Sequence, residues 1–363
     1  MVRISLVVRM SLIVASLSVA IGAYSPITMA SRGVAPAVRA NHGDRDWIRL
    51  ARTDAYAGIY HAGVMTGITP AHRWTAKPTS SPSLIDAELL KVACPGPADC
   101  FAVGFYAVAL SGYRPLVEHW NGRAWKVERV PLPAESHLVS TVLDAIACPS
   151  RKLCMAVGTY QSGPIYGERT LVEKWNGRAW AVMVARNPNK AGHSKGVLGG
   201  LNGVSCPSVS FCIAVGDSFD PSLPFIGTLV ERWNGSHWRL MHSPNTSKRK
   251  HLVQVSLEAV SCTSRSQCVA TGFSDKNGRA SKGLPWHAVA TLAERWNGKK
   301  WSIMHTRNRN LGRNFAGSLP GVACLRRDDC IAVGGFQRPD FGSSTLVERW
   351  DGATWRAMRS PNP

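Results

Sequence analysis

Ten cysteines are the residues of this 363-residue chain whose type and spacing most directly imply chemistry. They form five identical C-x5-C pairs: Cys94 with Cys100, Cys148 with Cys154, Cys206 with Cys212, Cys262 with Cys268, and Cys324 with Cys330. Thiol redox enzymes use C-x-x-C, which does not occur here. Zinc sites usually place two to four residues between paired cysteines and need four ligands, and no histidine recurs beside these pairs. What remains is oxidation within each pair, which requires an oxidising compartment and closes five short rings. The expectation is disulfide bonding, with neither metal nor cofactor.

Other signatures of catalysis are weak. The H-E-x-x-H, P-loop and EF-hand patterns are absent, and the histidines recur at no fixed place. Asp217 and Asp220 flank a segment of the third repeat and could form an acid pair with Glu168, although fixing turns is the plainer role for them. Enzymes built from repeats can draw catalytic groups from several units, so the lack of a linear motif does not decide the matter. No catalytic residue is assigned.

The elements that position these residues are repeats. Each C-x5-C is followed by A-V-G or a near variant and then by L-V-E-(basic)-W-N-G-x-x-W, with first cysteines 54, 58, 56 and 62 residues apart. In the second copy, Leu143–Cys148, Cys154–Tyr160, Thr170–Trp175 and Ala179–Val184 read as four strands. Asn176-Gly177 is a hairpin signal, and a two-residue turn there sets Glu173 opposite Trp180. The tryptophan pairs (Trp175 with Trp180 and its counterparts) are expected to pack as slabs between neighbouring sheets, with Glu118, Glu173, Glu231, Glu294 and Glu348 on the same face. His119, Lys174, Arg232, Arg295 and Arg349 face the other way, as a solvated stripe or paired with acids.

Four short strands per unit, five units and no helical periodicity give an all-β chain, a β-propeller of five four-stranded repeats, with six blades and a degenerate N-terminal one as the alternative. The pattern S-C-P-S-x3-C-x-A-V-G with L-V-E-R-W-N-G-x-x-W resembles the β-propeller-like repeat of secreted actinobacterial proteins, over residues 73 to 363. That resemblance implies a propeller and export; the group has no established activity. The W-N-G-x-x-W hairpin also resembles the Asp-box of sialidase-like propellers, but it is one residue shorter and lacks the preceding Ser or Thr, so sialidase chemistry is not implied. Residues 73–363 form the propeller domain, with repeats starting near 90, 143, 201, 257 and 319. His72–Pro78 looks like a fourth strand without its first three.

Arg3, Arg9 and the apolar run Met10–Ala23 read as a secretion signal over 1–30, followed by a weakly periodic leader over 31–72. The expected location is extracellular, with membrane attachment only through an uncleaved N-terminus, and the expected state is a monomer. Formal charge is +20, from 43 Lys and Arg against 23 Asp and Glu, which points to an anionic partner. The strand 2–3 and 4–1 connections vary in every copy and hold the basic runs, so they are the expected binding face. Lys190, Lys195, Lys248, Arg249, Lys250, Lys276, Arg279, Trp286, Arg307 and Arg309 are its candidate ligand-binding residues. Unpaired aromatics accompany them: Tyr106, Tyr113, Tyr160, Tyr166, Phe225 and Phe341. Cations beside aromatic platforms suit an anionic glycan or cell-wall polymer better than nucleic acid. The sequence therefore reads as a secreted, non-catalytic binding propeller. A hydrolase or lyase with a site at the channel mouth, or a protein-interaction scaffold, is the alternative.

Overall fold

The computed structural model describes residues 86–108, 112–134, 140–162, 167–183, 198–219, 225–244, 253–275, 289–306, 316–337 and 342–360. Twenty strands and no helix occur among them, in five consecutive four-stranded blades. Blade one holds β1 (Ala87–Gly96), β2 (Asp99–Val108), β3 (Gly112–Trp120) and β4 (Trp125–Val127). Blade two holds β5 (Ser140–Ser150), β6 (Leu153–Ser162), β7 (Gly167–Trp175) and β8 (Trp180–Met183). Blade three holds β9 (Leu198–Ser208), β10 (Phe211–Phe219), β11 (Phe225–Trp233) and β12 (Trp238–Leu240). Blade four holds β13 (Val253–Ser264), β14 (Gln267–Asp275), β15 (Val289–Trp296) and β16 (Trp301–Met304). Blade five holds β17 (Ala316–Arg326), β18 (Asp329–Gln337), β19 (Ser343–Trp350) and β20 (Trp355–Met358). Within a blade every pairing is antiparallel.

The first strands of successive blades pack side by side, β1 on β5, β5 on β9, β9 on β13 and β13 on β17, so they line an axis in the manner of a propeller. Backbone groups cross between them. The Cys262 amide donates to Ser205 Oγ at 3.0 Å, and the Cys324 amide to Ser261 Oγ at 3.0 Å. Short parallel contacts also join β3 to β5 and β11 to β13, which merges blades one and two, and blades three and four, into continuous sheets.

The interfaces between blades are apolar and repeat one theme. The residue after the second cysteine of each blade packs on the tryptophan pair of the next: Phe101 with Trp175 and Trp180, Met155 with Trp233 and Trp238, Ile213 with Trp296 and Trp301, Val269 with Trp350 and Trp355. The Trp175 and Trp180 rings lie 5.7 Å apart and tilted, an arrangement that favours aromatic contact. The indole N–H of Trp175 donates to the Arg151 carbonyl, that of Trp233 to Val209 and that of Trp296 to Arg265. These three tryptophans are thereby tied to the cysteine rings of their own blades. All five within-pair disulfides are formed, with Cα atoms 4.0 to 4.1 Å apart.

Two expectations are corrected. The hairpin turn has four residues, not two: Trp175 pairs directly with Trp180, and Glu173 faces Val182. The Asn176 side chain explains the longer turn, because its Oδ1 accepts from the amides of Arg178 and Ala179, while Gly177 takes φ 93. The stripe of basic residues is not simply solvated either. Lys174 Nζ sits 5.3 Å above the Trp233 ring of the next blade, a cation–π contact. The expected acid pairing does hold at both ends of the array, where His119 bridges Asp99 and Glu128 and Arg349 pairs with Asp329.

Candidate functional site

The glycine of A-V-G determines what faces the axis. The register between first and second strands slips by one residue at the same place in each blade. Leu143 and Ala145 pair with Gly158 and Val157, Leu201 and Gly203 with Gly216 and Val215, and Leu257 and Ala259 with Gly272 and Thr271. Blade one slips between Leu89 and Lys91, and blade five between Ser318 and Gly321. A residue inserted this way is a β-bulge, which bends the strand and re-aims a side chain. The bend drives the inner backbone onto the second strand: a Cβ on Gly158 would lie 2.0 Å from the Val142 carbonyl oxygen, and one on Gly216 1.9 Å from that of Gly200. Only glycine admits that approach.

The bulged residues are Leu90, Asp144, Asn202 and Glu258, with Pro320 within the wider slip of blade five. The residue before each, Leu89, Leu143, Leu201, Leu257 or Leu319, is always leucine, and the last four of these are fully buried. The bulges therefore combine a fixed apolar anchor with a variable residue that the second strand does not pair. In three blades that residue is polar.

These residues meet others from neighbouring blades. Asp217, next to Gly216 on β10, accepts from Asn202 Nδ2 at 3.2 Å and from Ser256 Oγ at 3.0 Å. Asn202 Nδ2 also lies 3.1 Å from the Leu257 carbonyl. Ser318 Oγ donates to Glu258 Oε2. Lys91 lies within electrostatic reach of Asp144 and Glu258, and Glu168 within reach of Asp144. Asp144, Asp217 and Glu258 are enclosed by protein yet keep part of their surface open, as walls of a narrow polar groove do.

Enclosure penalises charge. Desolvation, then the nearby Glu168 and Asp217, push the Asp144 carboxyl up to about 7, with Lys91 opposing. Glu258 is also pushed up to about 7 by desolvation, with the Ser318 hydroxyl and Lys91 acting against the rise and Asp217 adding to it. Asp217 is raised by desolvation and restrained by its bonds from Asn202 and Ser256. The Lys91 ammonium is lowered by desolvation and partly restored by Asp144 and Glu258. At neutral pH such a set can hold protons and ionised oxygens side by side, which is the requirement for proton transfer. No group of three or more His, Cys, Asp or Glu among the described residues has an arrangement suited to a metal ion.

Asp217 therefore does not fix a turn; it is an axial group on a strand. Glu168 ends up close to Asp144, while Asp220 lies outside the described residues. So do Lys190, Lys195, Lys248, Arg249, Lys250, Lys276, Arg279, Trp286, Arg307 and Arg309, together with Tyr166 and Phe341. Tyr106, Tyr113, Tyr160 and Phe225 belong to strands rather than loops, and Tyr113 packs edge-on to Phe105. Gly192-His-Ser-Lys-Gly196 has the letters of a serine-hydrolase elbow and lies outside the described residues. Sequence reasoning missed Asp144, Asn202 and Glu258. The signal was an invariant leucine followed by a residue that changes in every repeat.

No protein family model matches the chain, and no curated protein is similar to it. Among solved structures it is similar to a GH74 xyloglucanase from Xanthomonas campestris, with TM-score 0.44 and 11% identity over 75% of this chain and 38% of that one. It is also similar to a fucose-specific lectin from Aleuria aurantia (TM-score 0.41, 12% identity, 75% of this chain and 76% of that one). A Penicillium chrysogenum α-L-arabinanase complexed with arabinobiose gives TM-score 0.44 at 7% identity, over 75% and 81% of the two chains. The chain spans well under two thirds of the xyloglucanase. At these scores none of the three informs what this chain does.

Proposed function

We propose that this protein is an extracellular polymer-binding propeller that engages an anionic polysaccharide through the connections between second and third strands and between fourth strands and the following blade. The observation that carries this reading is charge: a formal +20, with basic runs concentrated in segments 184–197, 245–252, 276–288 and 307–315. Antiparallel order within each blade puts the strand ends that flank those segments opposite the cysteine rings. Cations gathered on one end attract a polyanion and lose that attraction as salt screens it. Five disulfides fit an oxidising, extracellular setting.

The test is retention of the purified protein on immobilised hyaluronan, polygalacturonate and chondroitin sulfate, with dextran as the neutral control, at low and high salt. Retention on at least one polyanion that fades with salt, and falls when Lys248, Arg249 and Lys250 are together changed to Gln, is the expected result. Retention that ignores both changes overturns the reading. A second reading, cleavage of the bound polymer, is favoured by the axial carboxyl groups.

A further inference from the structure

Each blade turns toward the blade before it a face built from one set of side chains. In blade two these are Leu143, Ile146, Ala156, Leu171 and the pair Trp175 and Trp180, covered by Phe101, Val103 and Val117 of blade one. Blade one repeats the set as Leu89, Val92, Ala102, Leu116, Trp120 and Trp125. Among the described residues no earlier blade lies against that face, and β17 of blade five does not pack on β1 as successive first strands pack on each other. The edge of the face is open: Val92 is 48% exposed, where its counterparts Ile146, Val204 and Val260 are 7 to 9% exposed. Its centre is closed. Leu116 is 1% exposed and Ala102 5%, as low as in blades that have a neighbour. A sheet does not close off its own centre in this way, as blade five shows. On its face away from blade four, Val333 and Val347 stay partly exposed, while Val157, Val172, Val215 and Val230 at the same positions of covered blades are buried. The cover over Leu116 therefore comes from this chain, outside the described strands.

We propose that residues 72–85, the segment carrying Trp74, are that cover and serve blade one as the neighbour the other blades have. This is independent of the polysaccharide reading. The segment runs directly into β1, so it is tethered beside the face, and a tether raises local concentration far above that of a second copy in solution. Its residues are those of a fourth strand and the stretch after it. Trp74 stands 13 residues before β1, and Trp125, Trp238 and Trp301 stand 15 residues before β5, β13 and β17. Thr79, five residues past Trp74, matches Ser243, Thr306 and Ser360 at the same offset from Trp238, Trp301 and Trp355. In blades one to four that stretch leans on the following blade: Val130, Met183, Met241 and Met304 each pack into the cluster holding the next tryptophan pair. By the same path Trp74 and the residues after it lie across Ala102 and Leu116, withdrawing apolar surface from water that blade one would otherwise expose.

The experiment is hydroxyl-radical footprinting of the full disulfide-bonded chain, read residue by residue by mass spectrometry at two protein concentrations. In the wild type, Trp74 should oxidise as slowly as the buried Trp180, and Leu116 as slowly as its counterpart Leu171. Trp74→Ser should speed oxidation of Leu116 several-fold and leave Leu171, in the interface between blades one and two, unchanged; Trp74→Phe should keep most of the protection. Leu171 thereby reports whether each variant is folded. Oxidation of wild-type Trp74 at the rate of an exposed indole overturns the proposal without recourse to any variant. So does a Leu116 that stays protected in folded Trp74→Ser, which would assign the cover to another part of the chain. Protection of Leu116 that fades on dilution, together with a falling mass by light scattering, would make a second copy the occupant and overturn it as well.

Discussion

Glu294 Oε2 accepts a hydrogen bond from Ser243 Oγ at 2.7 Å across the boundary between blades three and four, and both side chains are buried. Ser243 lies five residues past Trp238; five residues past Trp125 the sequence has Val130, which packs into the cluster holding Trp175 and Trp180. Glu173, the counterpart of Glu294 in blade two, is fully buried, and neither of its carboxyl oxygens has a hydrogen-bond partner among the described residues. Desolvation pushes its carboxyl up to about 8, against about 7 for Glu294, which desolvation raises and the Ser243 hydroxyl restrains.

The pH dependence of stability follows with a definite sign. A carboxyl whose folded value exceeds its unfolded value takes up a proton on folding, so the native state is favoured at low pH and loses ground as pH rises toward the folded value. For Glu173 that window runs from 4.5 to about 8. The thermal midpoint should therefore fall as pH is raised from about 5 to about 8, and Glu173→Gln should flatten the slope and stabilise the protein at the upper end by up to a few kcal/mol. Melting curves across that range check this, and an unchanged slope in the variant refutes it.

Val130→Ser supplies Glu173 with the donor that Glu294 already has. Its carboxyl should then titrate lower, with a net gain on the order of 1 kcal/mol above neutral pH, set against the lost valine packing. Carboxyl carbon NMR shifts followed through a pH titration report the change directly.

Gly158→Ala should be among the most damaging single substitutions in the chain. The new methyl would fall 2.0 Å from the Val142 carbonyl oxygen, with backbone on both sides and no flexible side chain to yield. A loss of about 3 kcal/mol or more is expected, or failure to fold. Denaturant unfolding of this variant against Gly335→Ala, whose added carbon would meet only the Ser344 carbonyl oxygen at 3.3 Å, separates bulge strain from a general intolerance of alanine.

Replacing Cys148 and Cys154 together by Ser should cost about 2 kcal/mol, the loop-closure contribution of so short a ring. Because the rings are local, the five contributions should nearly add, and full reduction should lower the thermal midpoint far more than any single pair does. Calorimetry with and without reductant measures both.

Asn297→Asp should be tolerated, since blade five already uses Asp351, whose Oδ1 accepts from the amides of Ala353 and Thr354 as Asn297 Oδ1 does from those of Lys299 and Lys300. Asn297→Ala removes the acceptor and should destabilise by about 1 kcal/mol. Comparing their unfolding midpoints distinguishes an acceptor requirement from a simple composition preference.

By itself the sequence determined the repeat, the strand order, the cysteine pairing and the tryptophan slabs. Those depend on alternation, on turn residues and on spacing, and all three are local. The hairpin register was not legible, because Asn-Gly suits both a two-residue turn and the four-residue turn that the Asn176 side chain stabilises; only the pairing of Trp175 with Trp180 separates them. Nor was the axial site. Read along the chain, Leu143-Asp144-Ala145 is ordinary alternation with a polar residue facing water. It becomes something else once a bulge, made possible by Gly158 on another strand, directs Asp144 toward Lys91 and Asp217 from two other blades. Proximity between residues so far apart in sequence is a property of how blades stack about an axis, and so the tertiary structure alone decided it.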